Sequence, residues 1–148
     1  MAVRAEAQYR REHGEEPRII DSAQGVDSVI DDLLVPATGV LKENLASVYS
    51  LERERLPFGT PDHEFMIGVD WELEVGLVAF SDASGNFVSR GSSSGRVDPV
   101  YFQQGHLTEF SAYSEIPISL VRRAAKEFLI SGGKRPTCVQ WQNLDTWG

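Results

Sequence analysis

The chain has 148 residues, of which 41% are hydrophobic and 24% are charged, with a formal net charge of −8 and one cysteine. This length suits one domain, and no apolar run approaches the ~20 residues of a membrane-spanning helix. The acid excess argues against a direct nucleic-acid binder and favours a basic protein partner, while a single cysteine excludes an internal disulfide. The sequence therefore predicts a cytoplasmic protein without a metal or other cofactor, because an apolar leader and zinc-like ligand spacings are both absent.

The first third of the chain predicts one helix between two short strands. Residues 1–16 are polar with balanced charges, and they predict a loose helix or a disordered arm before a domain at 17–148. A strand near 17–20 leads to a helix near 24–35, whose apolar residues recur at helical spacing. Residues 36–44 predict a connection, and 46–51 a strand.

The middle of the chain is rich in strand signals. Alternating apolar residues at 65–69 and 75–79 predict a hairpin, joined by the five residues Asp70-Trp71-Glu72-Leu73-Glu74. A turn at 82–86 leads to a further strand. Residues 89–98 contain closely spaced glycines and serines, and they predict a mobile loop. Two short strands follow at 100–102 and 107–110.

The clearest helix runs from about Pro117 to Ile130, with apolar residues on one face. Two glycines and Pro136 then end it, and residues 137–142 predict a final strand. Alternation in that strand places three residues on one buried face: Thr137, Val139 and Trp141. The order of elements predicts a single α+β domain, mainly an antiparallel sheet packed by two principal helices, with a C-terminal strand after the last helix.

Two acidic regions are candidate contact surfaces for a protein partner. Tryptophan is frequent at binding hot spots, and surrounding carboxylates can pair with basic residues of a partner. The candidates at the hairpin are Asp70, Trp71, Glu72 and Glu74. A second set comes from the first helix: Asp27, Asp31 and Asp32. The alternative interpretation is that Trp71 packs on its own hairpin while the acids face water.

Cys138 is the residue that an enzyme hypothesis selects first. A catalytic thiol needs a nearby base or cation to lower its pKa, and His63 or His106 is the candidate base. The apolar neighbours of Cys138 in sequence supply no such group, which favours a structural cysteine. A small cysteine-dependent enzyme and a regulatory protein-binding module therefore stand as alternatives.

The segment Arg135-Pro136-Thr137-Cys138-Val139-Gln140-Trp141-Gln142, called the signature segment below, resembles the C-terminal element of a bacterial immunity-protein family, numbered family one. Genes of this family lie beside polymorphic toxins, often of the deaminase class. Residues 61–69, 75–78, 109–110 and 115–117 are similar to further elements of that family. At Gln140 the family often has an acid, so the chain departs from the pattern there.

The resemblance implies a non-catalytic protein that binds a cognate toxin domain, a nucleic-acid deaminase, and covers its active-site entrance. A deaminase must admit a polyanionic strand to its zinc site through a basic entrance. An acidic protein can imitate that strand and dock quickly. The resemblance supplies no contact residues, so the predicted ones rest on the sequence alone.

Overall fold

An antiparallel sheet forms the centre of the protein in the computed structural model, which describes residues 3–35, 43–92 and 95–144. The ten strands of these ranges are β1 (Ala5–Gln8), β2 (Arg18–Ile20), β3 (Leu45–Ser50), β4 (Glu64–Asp70), β5 (Val75–Asp82), β6 (Gly85–Ser89), β7 (Val100–Gln103), β8 (His106–Glu109), β9 (Ile116–Pro117) and β10 (Trp141–Asn143). The helices are α1 (Ala23–Leu34) and α2 (Ile118–Ile130), with a short 3-10 helix at Arg11–Gly14.

The main sheet has the order β10-β6-β5-β4-β3-β1-β2, and β9 pairs with β5 beside this path. Strands β4 and β5 form the long central hairpin, in register from Glu64 opposite Ser81 to Asp70 opposite Val75. Strands β7 and β8 form a separate two-stranded sheet. This architecture confirms the predicted α+β class and the predicted strand after the last helix.

The two faces of the sheet are covered by different layers. On one face lie both helices, and Phe128 of α2 stacks on Phe65 of β4 with a ring distance of 4.4 Å. The opposite face packs against Tyr101 of β7 and Phe110. Both faces of β4 and β5 are therefore covered, and most of their side chains are buried. The turn that joins the two strands projects from a firmly packed pair.

Both helices lie within one residue of their predicted bounds. In α1, the hydroxyl of Ser22 accepts a hydrogen bond from the backbone N–H of Gly25 at 3.0 Å and caps the N-terminus. The apolar residues at helical spacing are the buried ones in both helices. Within the described ranges, neither helix has the length and apolar character needed to cross a membrane.

The N-terminal region differs from its prediction of a loose helix or a disordered arm. Residues Ala5–Gln8 form β1, which pairs with β2 on one side and β3 on the other. Ala5, Ala7 and Tyr9 are buried and alternate with polar residues. Alanine is a weak strand former, so the sequence gives little indication of this strand. Pairing with two neighbouring strands determines its conformation.

The predicted final strand at 137–142 is wrong in its extent, because only Trp141–Asn143 pairs with β6. The backbone N–H groups of Thr137 and Cys138 donate to the Glu127 carboxylate instead of to a neighbouring strand. Thr137 is consequently exposed, whereas Val139 is buried and Trp141 half-buried.

Two predicted connections fall partly outside the described residues. Of the predicted connection at 36–44, only residues 43 and 44 are described. The predicted mobile loop at 89–98 contains the undescribed residues 93 and 94, and its first residue, Ser89, is the buried end of β6.

Candidate functional site

The connection between β4 and β5 exposes two large apolar side chains. Trp71 is 40% exposed and Leu73 52% exposed, and both lie in the 71–74 connection, called the hairpin tip below. Asp70, predicted as part of this connection, is instead the last residue of β4 and is buried. Its Oδ1 accepts hydrogen bonds from the backbone N–H groups of Glu72 at 3.0 Å and Leu73 at 3.1 Å. The apolar side chains therefore project from an ordered turn.

An open groove runs beside the hairpin tip and joins it to both helices. Its lining comprises Leu34, Trp71, Glu74, Pro117, Ile118 and Ser119, and we call it the tip groove. The end of α1, the start of α2 and the central hairpin thus contribute to one surface. This surface combines apolar side chains with the carboxylate of Glu74, a composition that suits contact with another protein.

Arg96, whose side chain is 40% exposed, pairs with two carboxylates beside the hairpin tip. Its guanidinium forms salt bridges with Asp70 at 3.1 Å and with Glu115 at 2.6 Å, and the hydroxyl of Tyr101 donates to Glu115 at 2.5 Å. The hydrogen bonds with Glu115 raise the pKa of Arg96, and burial raises the pKa of Tyr101, so both groups keep their protons at neutral pH. The carboxylate of Asp70 accordingly faces inward.

The predicted contact residues of α1 are paired within the protein. Asp27 contacts Arg122 at 2.9 Å and Lys126 at 2.8 Å, and these two cations hold the pKa of Asp27 below its usual range. Asp31 also pairs with Arg122, at 2.5 Å. These three carboxylate–cation pairs connect α1 to α2.

Asp32 completes the predicted set on α1. Its carboxylate pairs with Arg18 of β2 and accepts a hydrogen bond from Tyr9 at 2.7 Å. The structure therefore separates the seven predicted contact residues into two groups. Trp71, Glu72 and Glu74 lie exposed at the hairpin tip. The other four lie elsewhere and pair with cations of the protein, with Asp70 buried and Asp31 exposed. A role in partner binding stays a prediction for all seven.

The structure places a carboxylate beside Cys138. Burial, together with a hydrogen bond to Glu127, raises the pKa of the thiol, the opposite of what a nucleophilic cysteine requires. His106 lies exposed on β8. His63 is buried, its Nε2 accepts the backbone N–H of Ser50 at 2.9 Å, and burial lowers its pKa. In residues 3–35, 43–92 and 95–144, no group of three or more His, Cys, Asp or Glu side chains is arranged to hold a metal ion.

The signature segment is held by contacts with the rest of the fold. The carboxylate of Glu127 accepts from Thr137 and Cys138, and the guanidinium of Arg135 lies 4.0 Å from the centre of the Phe87 ring. The indole N–H of Trp141 donates to the carbonyl of Pro136 at 2.8 Å. These contacts give the segment a structural role.

Sequence reasoning missed the ion pairs that Arg96 makes beside the hairpin tip with Asp70 and with Glu115, whose carboxylate also accepts from Tyr101. The partners are separated by 14 to 26 residues along the chain, so no local pattern brings them together. One signal in the sequence was the position of Glu115 directly before the apolar Ile116 of β9. Residues 114–116 are buried, and a carboxylate buried there needs a cationic partner.

Comparison with protein families gives one match. The model of the family described as Immunity protein Imm1 matches residues 14–143, which include the hairpin tip, both helices and the signature segment. Among proteins of curated function, none matches the sequence significantly.

Proposed function

Since this chain belongs to the Imm1 family of immunity proteins, which act against toxins, we propose that its cognate toxin is a nucleic-acid deaminase whose active-site entrance it covers through the hairpin tip. The protein would act by binding alone. A toxin that attacks nucleic acids works in the cytoplasm, and we place the immunity protein there for that reason.

The observation that carries this proposal is the exposure of Trp71 and Leu73 on an ordered turn beside the tip groove. Apolar side chains that face water together mark binding sites, and tryptophan is among the residues that most often dominate binding energy. The hairpin tip offers such an anchor on a sheet buried on both faces. A partner would therefore meet a surface that needs little rearrangement.

Charge supports a basic partner. The chain has a net charge of −8, and the hairpin tip presents Glu72 and Glu74 beside the two apolar side chains. A deaminase entrance must attract the phosphates of a nucleic-acid strand, so it is expected to be basic. Complementary charge would accelerate association and align the two proteins.

The environment of Cys138 supports binding without catalysis. Its thiol has a raised pKa and contacts a carboxylate, so the cysteine-dependent alternative lacks an activated nucleophile. The other alternative, a regulatory protein-binding module, would bind a different kind of partner. The family match favours a toxin as the partner.

The experiment that tests the proposal mixes the purified protein with the toxin domain encoded by the neighbouring gene. We expect the two proteins to co-elute and the deamination of a single-stranded substrate to stop at equimolar immunity protein. Excess substrate should slow complex formation, because both would occupy the same entrance. Full toxin activity with excess protein would refute the immunity role. Inhibition of a toxin that deaminates no nucleic acid would refute the deaminase assignment alone.

A further inference from the structure

Arg96 is the cation on which two buried carboxylates depend. Its Nε and Nη2 atoms donate to Glu115 at 2.8 and 2.6 Å, and Nη2 also donates to Oδ2 of Asp70 at 3.1 Å. The side chains of Asp70 and Glu115 are only 9% and 5% exposed. Among the described residues, no other cation forms a salt bridge with either carboxylate, so removal of Arg96 would leave two buried negative charges uncompensated.

Asp70 links this charge cluster to the hairpin tip. One oxygen, Oδ2, faces Arg96, while the other, Oδ1, holds the backbone N–H groups of Glu72 and Leu73. A carboxylate that accepts from the two and three following residues fixes a tight turn. The chain then passes through the left-handed region at Glu74, with φ of 55°, which is unfavourable for residues other than glycine. Hydrogen bonds of Asp70 therefore hold a turn that includes one residue in an unfavourable backbone conformation.

We propose that Arg96 is a positioning residue for toxin binding, which orients Asp70 so that the hairpin tip presents Trp71 and Leu73 in one fixed arrangement. This inference rests on the function proposed above. A surface that is ordered before binding loses less conformational entropy when the complex forms. Arg96 would thus strengthen binding through the hairpin tip.

Loss of Arg96 has a definite structural consequence. An ionised carboxylate without a partner is unstable in a buried position, so Asp70 would turn toward water. This rotation weakens the two hydrogen bonds of Oδ1. The hairpin tip would then sample several conformations, while the sheet below it stays paired along β4 and β5.

The first test uses the free protein and needs no toxin. We compare amide hydrogen exchange at Glu72 and Leu73 in the wild type, Arg96→Gln and the charge-matched control Arg90→Gln. Arg90 is exposed and forms no salt bridge among the described residues. We expect exchange at both amides to be about tenfold faster in Arg96→Gln and unchanged in Arg90→Gln. Unchanged exchange in Arg96→Gln would overturn the proposal.

The second test measures toxin affinity in a double-mutant cycle with Trp71→Ala. We expect Arg96→Gln to weaken binding about tenfold in the wild-type background and less than about twofold when Trp71 is already absent. An equal loss in both backgrounds would show that Arg96 acts independently of the hairpin tip, and would overturn the proposal. Failure of the wild-type protein to bind the toxin would instead refute the proposed function, and the exchange test would still decide whether Arg96 orders the tip.

A conservative variant protects the test against misfolding. Arg96→Lys keeps the charge but cannot make the forked contacts of a guanidinium, so it should recover part of the slow exchange and part of the affinity. If Arg96→Gln does not fold, exchange in Arg96→Lys decides the question. The proposal predicts faster exchange at Glu72 and Leu73 than in the wild type, and equal exchange would overturn it.

Discussion

The signature segment and the hairpin tip each contain a tryptophan, and the two regions use it in opposite ways. Trp141 is half-buried against the helix-side core, and its indole N–H donates to Pro136. Trp71 is 40% exposed at the edge of an open groove. A family can thus be recognised by a segment that builds the fold, while the surface suited to binding lies elsewhere. Changes in the signature segment should therefore alter stability, and changes in the hairpin tip should alter affinity.

The largest expected effect comes from Gly133→Ala, two residues before the signature segment. Gly133 has φ of 97°, and an added Cβ would lie 2.6 Å from Cβ of Ser50. Backbone strain and overpacking together should lower the free energy of unfolding by about 3 kcal/mol, measured by urea titration.

Gly132→Ala is the matched control for this change. Its φ is also positive, at 74°, but an added Cβ would meet its nearest neighbour at an ordinary 3.6 Å. It should lose only the strain contribution, about 1 kcal/mol. Equal losses in the two variants would contradict the predicted close contact at Gly133.

Trp71→Ala should lower toxin affinity and leave stability nearly unchanged. We expect toxin affinity to fall by about 2 kcal/mol or more, because a buried interface aromatic often contributes that much, as measured by calorimetry or surface plasmon resonance. Stability should change by less than about 1 kcal/mol, since the side chain is partly exposed in the free protein.

Phe58→Ala supplies the control for Trp71. Phe58 is 95% exposed and lies in the connection between β3 and β4. This connection and the hairpin tip are at opposite ends of β4, a seven-residue strand that spans about 20 Å. Its replacement should leave affinity unchanged. If Phe58→Ala weakens binding as much as Trp71→Ala, the contact surface is not confined to the hairpin tip.

Glu127→Ala tests the anchor of the signature segment. The variant leaves the backbone N–H groups of Thr137 and Cys138 without their acceptor, and should lower the free energy of unfolding by about 1.5 kcal/mol. Thiol alkylation of Cys138 should become faster as the segment loosens. Unchanged toxin affinity of the folded variant is part of the prediction, and a large loss would argue against the division between the two regions.

The smallest effect concerns pH. Burial places the pKa of His63 in the folded protein below its ordinary value of 6.5, so the unfolded state binds more protons as the pH falls. Stability from the neutral ring is therefore present above pH 6.5 and is lost as the pH drops toward the folded pKa. Urea midpoints at pH 7.5 and 5.5 should differ less in His63→Gln than in the wild type. Identical differences would contradict the assignment.

Both helices, the central hairpin and the fold class could be predicted from the sequence because their signals are local. Apolar residues at helical spacing, with a capping serine at Ser22, place α1 within one residue of its observed bounds. Alternation along 65–69 and 75–79 likewise identifies β4 and β5. The central pair needed no knowledge of distant contacts, since its own turn brings the two strands together.

The remaining features depended on contacts between distant segments. Strand β1 consists of weak strand formers and is fixed by pairing with two neighbouring strands. Near the end of the chain, Thr137 and Cys138 donate to the Glu127 carboxylate before the chain pairs with β6. The candidate site shows the same division. Trp71 could be selected from its acidic surroundings, whereas the ion pairs of Arg96 with Asp70 and Glu115 could not.

The main helices, the central strands, the excess of negative charge and the family resemblance could all be predicted from the sequence, because each depends on neighbouring residues or on composition. The surroundings of the predicted contact residues depend instead on tertiary contacts. Asp70 and the three α1 acids meet cations from other elements, and Trp71, Glu72 and Glu74 reach the surface. The reason is physical: burial and ion pairing depend on distances between segments far apart in the chain, and no local pattern contains those distances.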